Sequence, residues 1–283
     1  MPQPFDQLPS SLRAAARTVT LAGVPTLLAH PDWATPAPCC LWLHGRTSYK
    51  ELDPGRYLRW IRAGIGAIAI DLPGHGQRAE PGLDGPEHTL EVMRRTLAEI
   101  DPLLDALERE HPGVFDRERL AIGGMSLGGM IALRRLCEPH AFAAAAVEST
   151  TGWLAQLYHP DRAIDPEAEA WTARHEPSAV EPLDPMAHLA GFRPIPLLAL
   201  HSEADRMVRL PGMRAFLDRL RERYTQAGGD PGLIDLHTWP ETGAPQEHIG
   251  FGKVAAEAKD RQTAFLARHL ATGEGGPLRV TAR

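Results

Sequence analysis

The residues best placed to do chemistry lie in Leu120-Ala-Ile-Gly-Gly-Met-Ser-Leu-Gly-Gly129. There, Gly124-x-Ser126-x-Gly128 follows an apolar run of strand character and precedes a helical pattern that reaches Cys137. With 26 glycines and seven serines in 283 residues, chance gives this pattern at roughly 0.06 per chain. A strand that turns straight into a helix puts its central residue on a sharp bend. Side chains at the flanking positions would strike neighbouring backbone, hence a glycine on each side. The Ser126 hydroxyl then projects above the sheet. The following helix aims its N-terminus at the same place, so the Leu127 amide becomes a donor for a developing oxyanion.

A serine hydroxyl is a weak nucleophile and needs a base held by a third group. Leu198-Ala-Leu-His-Ser-Glu-Ala-Asp205 reads as a strand and then a polar turn. This carries Asp205 just past the strand's C-terminal end, the ligand edge of an open α/β sheet. Gln246-Glu-His248 lies in the loop after a strand ending near Trp239 and before the last helix. Ser126, His248 and Asp205 are the expected nucleophile, base and orienting acid. Glu203, in the same turn, is the alternative acid, and His237 the alternative base, although His237 falls within a strand. His201, Glu203 and Asp205 alternate along one segment and could hold a metal. Polar turn residues are the more ordinary explanation, and no metal or cofactor is expected.

These residues need elements to position them. Residues 18–21 and 26–30 flank Ala22-Gly-Val-Pro25 and predict an antiparallel hairpin. Apolar runs at 39–43, 67–70, 120–122, 142–147, 196–200 and 233–236 predict strands, several of them buried on both faces as in a parallel sheet. Leu90, Met93, Leu97, Ile100, Leu104 and Leu107 recur every three or four residues and predict a long amphipathic helix; another is expected over 254–270. The alternation predicts an α/β fold: an open, mostly parallel sheet with helices on both faces, in one domain over 1–283. Residues 150–192 break the rhythm, with Trp153, Trp171 and scattered prolines. They are expected to form a small cap; a long crossover loop is the alternative. The glycine-rich tail from Ala271 is expected to fray.

Composition narrows the class. With 43% apolar residues the chain can build a sizeable core, and 30 basic against 36 acidic residues give a net charge of −6 without a block of either sign. A nucleic-acid partner is therefore not expected. Three cysteines, two of them the neighbours Cys39 and Cys40, suit neither a disulfide framework nor a zinc set. No leader-like or membrane-spanning apolar stretch is read, and a cytoplasmic location is the expectation.

Taken together, these segments resemble the α/β-hydrolases from about residue 18 to 270. His44-Gly45 closes a strand as the oxyanion loop of that family begins, and Asp71-Leu-Pro-Gly-His-Gly76 resembles the loop after the next strand. The resemblance implies an eight-stranded, mostly parallel sheet with Ser126 as nucleophile, His248 as base and Asp205 as acid. It places the second oxyanion amide at Arg46. Arginine departs from the commoner apolar or glycine residue there. Its backbone can still donate, and its guanidinium, with Lys50 nearby in sequence, suits a substrate carboxylate. The alternative is a guanidinium in solvent or paired with Glu148 or Glu203. His44, His75, Cys39 and Cys40 are expected to be structural. Because the turn holds serine, bacterial esterases and prolyl-oligopeptidase-like catalytic domains are better matches than dienelactone hydrolases or haloalkane dehalogenases.

The expected activity is hydrolysis of small to medium carboxylic esters through an acyl-enzyme, the partner being a small-molecule ester and not a membrane. Peptidase or amidase action, acyl transfer, and ligand binding without turnover are the alternatives. Trp153, Leu154 and Leu157 are expected to wall the substrate pocket, or else to form the core of the cap.

Overall fold

Near-unbroken apolar runs assemble into one eight-stranded sheet in the computed structural model, which describes residues 4–271. The strands are β1 (Ala16–Leu21), β2 (Val24–Ala29), β3 (Ala37–Leu43), β4 (Gly66–Ile70), β5 (Phe115–Met125), β6 (Ala144–Glu148), β7 (Leu197–Ser202) and β8 (Ile234–Trp239). Their order is β1-β2-β4-β3-β5-β6-β7-β8. Strand β2 runs antiparallel to β1 and β4, and every other neighbouring pair is parallel. The expected α/β architecture is thus present. Strand β5 begins well before its apolar run, at Phe115, with a register shift opposite Ala37 and Cys39. Its early residues Asp116, Arg117 and Arg119 are polar and only partly covered, so hydrophobicity does not mark them.

Alternate residues along each central strand feed two cores. Leu41, Leu43, Ile68, Ile70 and Ile122 face one side, with α3 (Thr89–Glu110), α4 (Leu127–Arg135) and α7 (Leu210–Gln226) packed over them. Cys40, Trp42, Ala67, Ala69 and Ala121 face the other, under α1 (Ser10–Ala15), α2 (Pro54–Arg62) and α8 (Ala255–His269). Alanines pave this second face, and the space they leave is filled by Trp42 and Trp60, whose rings meet edge-on at 5.8 Å. Cys39 and Cys40 lie in the sheet interior, where burial pushes their thiols up and leaves them inert.

Between β6 and β7 the chain forms α5 (Leu154–Tyr158), α6 (Pro177–Val180) and 3₁₀ turns at Glu181–Leu183 and Pro185–Gly191. Asp184 fastens the two ends of this segment, accepting from the amides of Leu154 at 2.9 Å, Ala155 at 2.8 Å and Met186 at 3.1 Å. The Trp171 indole N–H donates to the Met207 carbonyl at 3.0 Å. The tail expected to fray lies, from residue 272 on, outside the described residues.

One polar assembly crosses the alanine-paved core. Arg56 on α2 makes two parallel bonds of 2.8 Å each to Glu148 at the end of β6. It also bonds Asp53 at 3.0 Å and Gln262 of α8, and its guanidinium lies 4.0 Å from the Trp42 ring. Gln262 in turn donates to Glu148 at 3.0 Å. Removing one partner leaves the other charge buried and unpaired, which costs about 3–5 kcal/mol. Arg56→Met is therefore expected to lower unfolding free energy by about that amount in urea titrations, and Arg56→Met/Glu148→Met to recover much of the loss. A loss below about 1 kcal/mol would show that the pair is dispensable.

Candidate active site

Ser126 caps α4 with φ of 51°, a left-handed conformation that is strained for a side chain-bearing residue. The bend is held from three sides. Its amide donates to the Glu148 carbonyl at 2.9 Å, and its carbonyl accepts from the Met130 amide at 3.0 Å and the Thr150 hydroxyl at 2.7 Å. A Cβ on Gly128 would strike the Leu43 carbonyl oxygen, and one on Gly124 would strike the Gly128 backbone. Both glycines are thus required by close backbone approach, as the motif implies.

The structure brings the three expected residues together. The Ser126 hydroxyl donates to His248 Nε2 at 2.9 Å, and His248 Nδ1–H donates to Asp205 Oδ2 at 2.7 Å. Asp205 is buried, and its other oxygen accepts from the amides of Met207 and Val208, both at 2.8 Å. This fixes the carboxylate as an acceptor facing the imidazole. His201 lies 3.5 Å from Asp205 and donates to the Val208 carbonyl at 2.7 Å; burial lowers its pKa, keeping it neutral in this role. Glu203 turns away to Thr238 at 2.7 Å and Arg214 at 3.4 Å, and so is not beside His248. His237 meets Trp239 edge-on at 4.4 Å and lies 3.9 Å from Glu257, with neither Ser126 nor Asp205 among its partners. Among the described residues no cluster of metal-ligating side chains is present.

The loop after β3 meets the serine from the other side, since a Cβ on Gly45 would lie 3.6 Å from that of Ser126. His44 shapes this loop. The Leu72 amide donates to its Nε2 at 3.1 Å, its Nδ1–H donates to the Gly45 carbonyl at 2.7 Å, and burial lowers its pKa to about 4. His75 is likewise tied to the Pro73 carbonyl at 2.8 Å. Among the described residues no acceptor takes the amide of Leu127 or that of Arg46. Both donors are free on the serine's flanks.

Glu247, which the sequence gave no reason to single out, holds the loop that carries His248. Its carboxylate accepts from the Thr242 amide at 2.6 Å and hydroxyl at 2.8 Å, the Gly243 amide at 2.7 Å and the Ser202 hydroxyl at 2.9 Å. These bonds, the Thr242 amide first, lower its pKa to about 2. Gln246 and Glu247 both take positive φ, at 56° and 54°.

A cavity of about 680 Å³ opens beside Ser126 and His248, lined by Tyr49, Leu52, Met125 and Ile249 among others. Leu52 and Ile249, 55% and 56% exposed, make its mouth apolar. A second cavity of about 460 Å³ is walled by Trp153, Leu157 and Trp171, and the two share Arg46, Pro86 and Met207. Of the three residues expected to wall the pocket, Trp153 and Leu157 line the second cavity, while Leu154 is fully buried in the core and lines neither.

Two expectations about charge are corrected. Lys50 is not available to a substrate, because it is buried with its ammonium on Asp71 at 2.7 Å, Glu51 at 3.0 Å and Gln77 at 3.1 Å. Arg46 pairs with neither Glu148 nor Glu203, since Glu148 is taken by Arg56; its guanidinium lies 5.4 Å from the Trp171 ring.

The prolyl oligopeptidase family matches residues 96–273. Esterase YjfP of Escherichia coli strain K12 is 26% identical over 259 residues, which cover 88% of this chain and 97% of that protein. TT1662 from Thermus thermophilus superposes with a TM-score of 0.68 at 22% identity, covering 91% of this chain and 99% of that one. The acylaminoacyl peptidase of Pyrococcus horikoshii gives a TM-score of 0.68 at 18% identity, but 92% of this chain spans only 42% of that protein. Such structural likeness speaks for the α/β-hydrolase fold. The family match runs through the Ser126 turn, Asp205 and His248, and the chain belongs to the prolyl oligopeptidase family, a serine hydrolase of the esterase and peptidase kind.

Proposed function

We propose that the chain is a carboxylesterase in which Ser126 is the nucleophile, His248 the base and Asp205 its orienting acid. The observation that carries the reading is the unbroken relay of hydrogen bonds, 2.9 Å from serine to imidazole and 2.7 Å from imidazole to carboxylate. Ser126 Oγ attacks the ester carbonyl while its proton passes to His248 Nε2. The oxyanion forms against the free amides of Leu127 and Arg46, and Asp205 stabilises the imidazolium. His248 then protonates the departing alcohol. A water molecule, its proton taken by the same nitrogen, attacks the acyl-enzyme and releases the acid and Ser126.

The relative that this chain spans almost end to end is named an esterase, which favours esters as substrates. The family and the structural likeness to acylaminoacyl peptidase favour amides, the second reading. The same three residues serve both, because an amide differs mainly in its leaving group's need for a proton. The segment between β6 and β7 covers the second cavity in this reading and acts as a cap. Trp153 and Leu157 are its wall against a long acyl chain.

A burst of p-nitrophenol is expected when excess p-nitrophenyl ester is mixed rapidly with the protein. Ser126→Ala and His248→Ala should each lose the burst and lower kcat on the order of 10⁵-fold. Retention of a burst by either variant would remove that residue from its role, and faster turnover of a matched amide would make the chain a peptidase. For the cap, Trp153→Ala is expected to raise KM for decanoate esters while leaving acetate esters near wild type. An equal effect on every chain length would take Trp153 out of the acyl site.

Glu247 gives a prediction in pH. Its folded pKa of about 2 lies below the ordinary 4.5, so its stabilisation is complete above that ordinary value and is lost as pH falls through the folded one. The gap in melting temperature between wild type and Glu247→Gln should therefore be constant near neutrality and close as pH falls from 4.5 toward 2. A gap that persists unchanged into acid would mean that the carboxylate charge does not anchor the loop.

A further inference from the structure

Among the described residues the buried cations Lys50 and Arg56 are matched by anions, whereas Arg46, half-buried beside Ser126, is not. Lys50 rests on Asp71 and Glu51, and Arg56 on Glu148 and Asp53. Arg209, in the second cavity, rests on Asp165 and on Glu167, the latter at 3.0 Å. The Arg46 guanidinium has no ion pair or hydrogen bond among the described residues, and its Nη1 is buried without a partner. A buried donor nitrogen without an acceptor is destabilising, so a ligand that supplies an acceptor is favoured there.

We infer that Arg46 is a specificity residue that binds a carboxylate carried by the substrate. The assignment of this role to substrate recognition rests on the hydrolase reading above; the binding of the anion does not. The position of the side chain is the second argument. Its own backbone belongs to the loop against Ser126, and its side chain forms part of the wall common to both cavities. A group held there lies within one substrate's reach of the reacting carbonyl, with the flat face of Trp171 beside it.

The third argument fixes the class of anion. Asp165, Glu167 and Glu169 also line the second cavity, and Arg209 already answers the first two. A dianion such as a phosphate monoester would meet these carboxylates with Arg46 and the exposed Arg206 as its cations. A single planar carboxylate matches the arginine fork and brings one charge for one. Lys50, the other cation suggested by the sequence, plays no part because its ammonium is already consumed.

The test compares substrates that differ only in charge. One series places the carboxylate on the acyl side, as ethyl hydrogen glutarate, adipate and suberate, each against its amide-capped ester. The other places it on the alcohol side, as butyryloxyacetate against butyryloxyacetamide. Wild type should favour the carboxylate member of at least one series by on the order of tenfold to a hundredfold in kcat/KM. That ratio should fall to near one in Arg46→Met and be partly kept in Arg46→Lys, which has the charge without the fork. Reading the ratio removes any slowing of both members caused by disturbance of the Arg46 amide. Equal turnover of charged and capped esters in both series, or a preference that survives Arg46→Met, overturns the inference.

A binding measurement separates this inference from the hydrolase reading. Calorimetry of ethyl hydrogen adipate and butyryloxyacetate on Ser126→Ala should show binding that Ser126→Ala/Arg46→Met loses. If wild type cleaves no ester or amide while this binding is seen, the hydrolase reading fails and the anion site stands. Cleavage of neutral esters without charge preference and without such binding leaves the hydrolase and removes the site.

Discussion

The Leu43 carbonyl at the end of β3 presses against the first turn of α4 at Gly128, and this contact sets the geometry of the whole site. Only a glycine lets the helix approach that closely, and the approach forces the chain between β5 and α4 into the bend that exposes Ser126. The same contact fixes the distance from the serine to the loop that follows β3. The two free amides on either side of the serine therefore come from neighbouring parallel strands held in register, Leu43 opposite Gly124. The remaining parts follow across the sheet. The end of β6 holds the Ser126 amide through the Glu148 carbonyl, the turn after β7 carries Asp205, and the loop after β8 carries His248.

Charge inside the protein is organised around this frame. Glu148 works twice, its carbonyl on the serine bend and its carboxylate on Arg56, so Ser126 is braced through α2 and α8 as well as through the sheet. On the other side of the serine, Asp71 gathers the Lys50 amide at 2.9 Å, the Lys50 ammonium and the Gln77 amide at 3.0 Å, tying the loops after β3 and β4 together. Buried groups so fully paired contribute little net attraction but hold unique positions. Against that background, a guanidinium left unpaired at the junction of two cavities stands out.

What could be seen in the sequence was what local spacing encodes. The serine turn shows itself because sterics demand glycine at two fixed offsets, and Asp205 and His248 because each falls just beyond an apolar run at the ligand edge. Strands buried on both faces announce themselves as apolar runs, whereas the polar start of β5 does not. Helix α7 carries a regular signal in Met213, Phe216, Leu217, Leu220 and Tyr224, whereas in α2 Arg56, Arg59 and Arg62 mask the apolar face. Pairings across the fold leave no local trace. Arg56 meets Glu148 and Lys50 meets Asp71 only after the strands align, so both the fate of Lys50 and the isolation of Arg46 depend on tertiary structure. Leu154 had the right chemistry for a pocket wall and the wrong direction, because Asp184 draws its backbone inward.

Ser126 and Asp205 follow on strand ends, but His248 hangs on a loop whose shape depends on the Glu247 carboxylate and on Phe251 packed 5.1 Å from Trp239. The sheet core opens only with global unfolding, whereas a loop tied by side-chain bonds can detach by itself. Detachment of that loop would leave Ser126 in place and carry His248 away from it. The placement of His248 is thus a property of the loop's closure, governed separately from the stability of the scaffold beneath it.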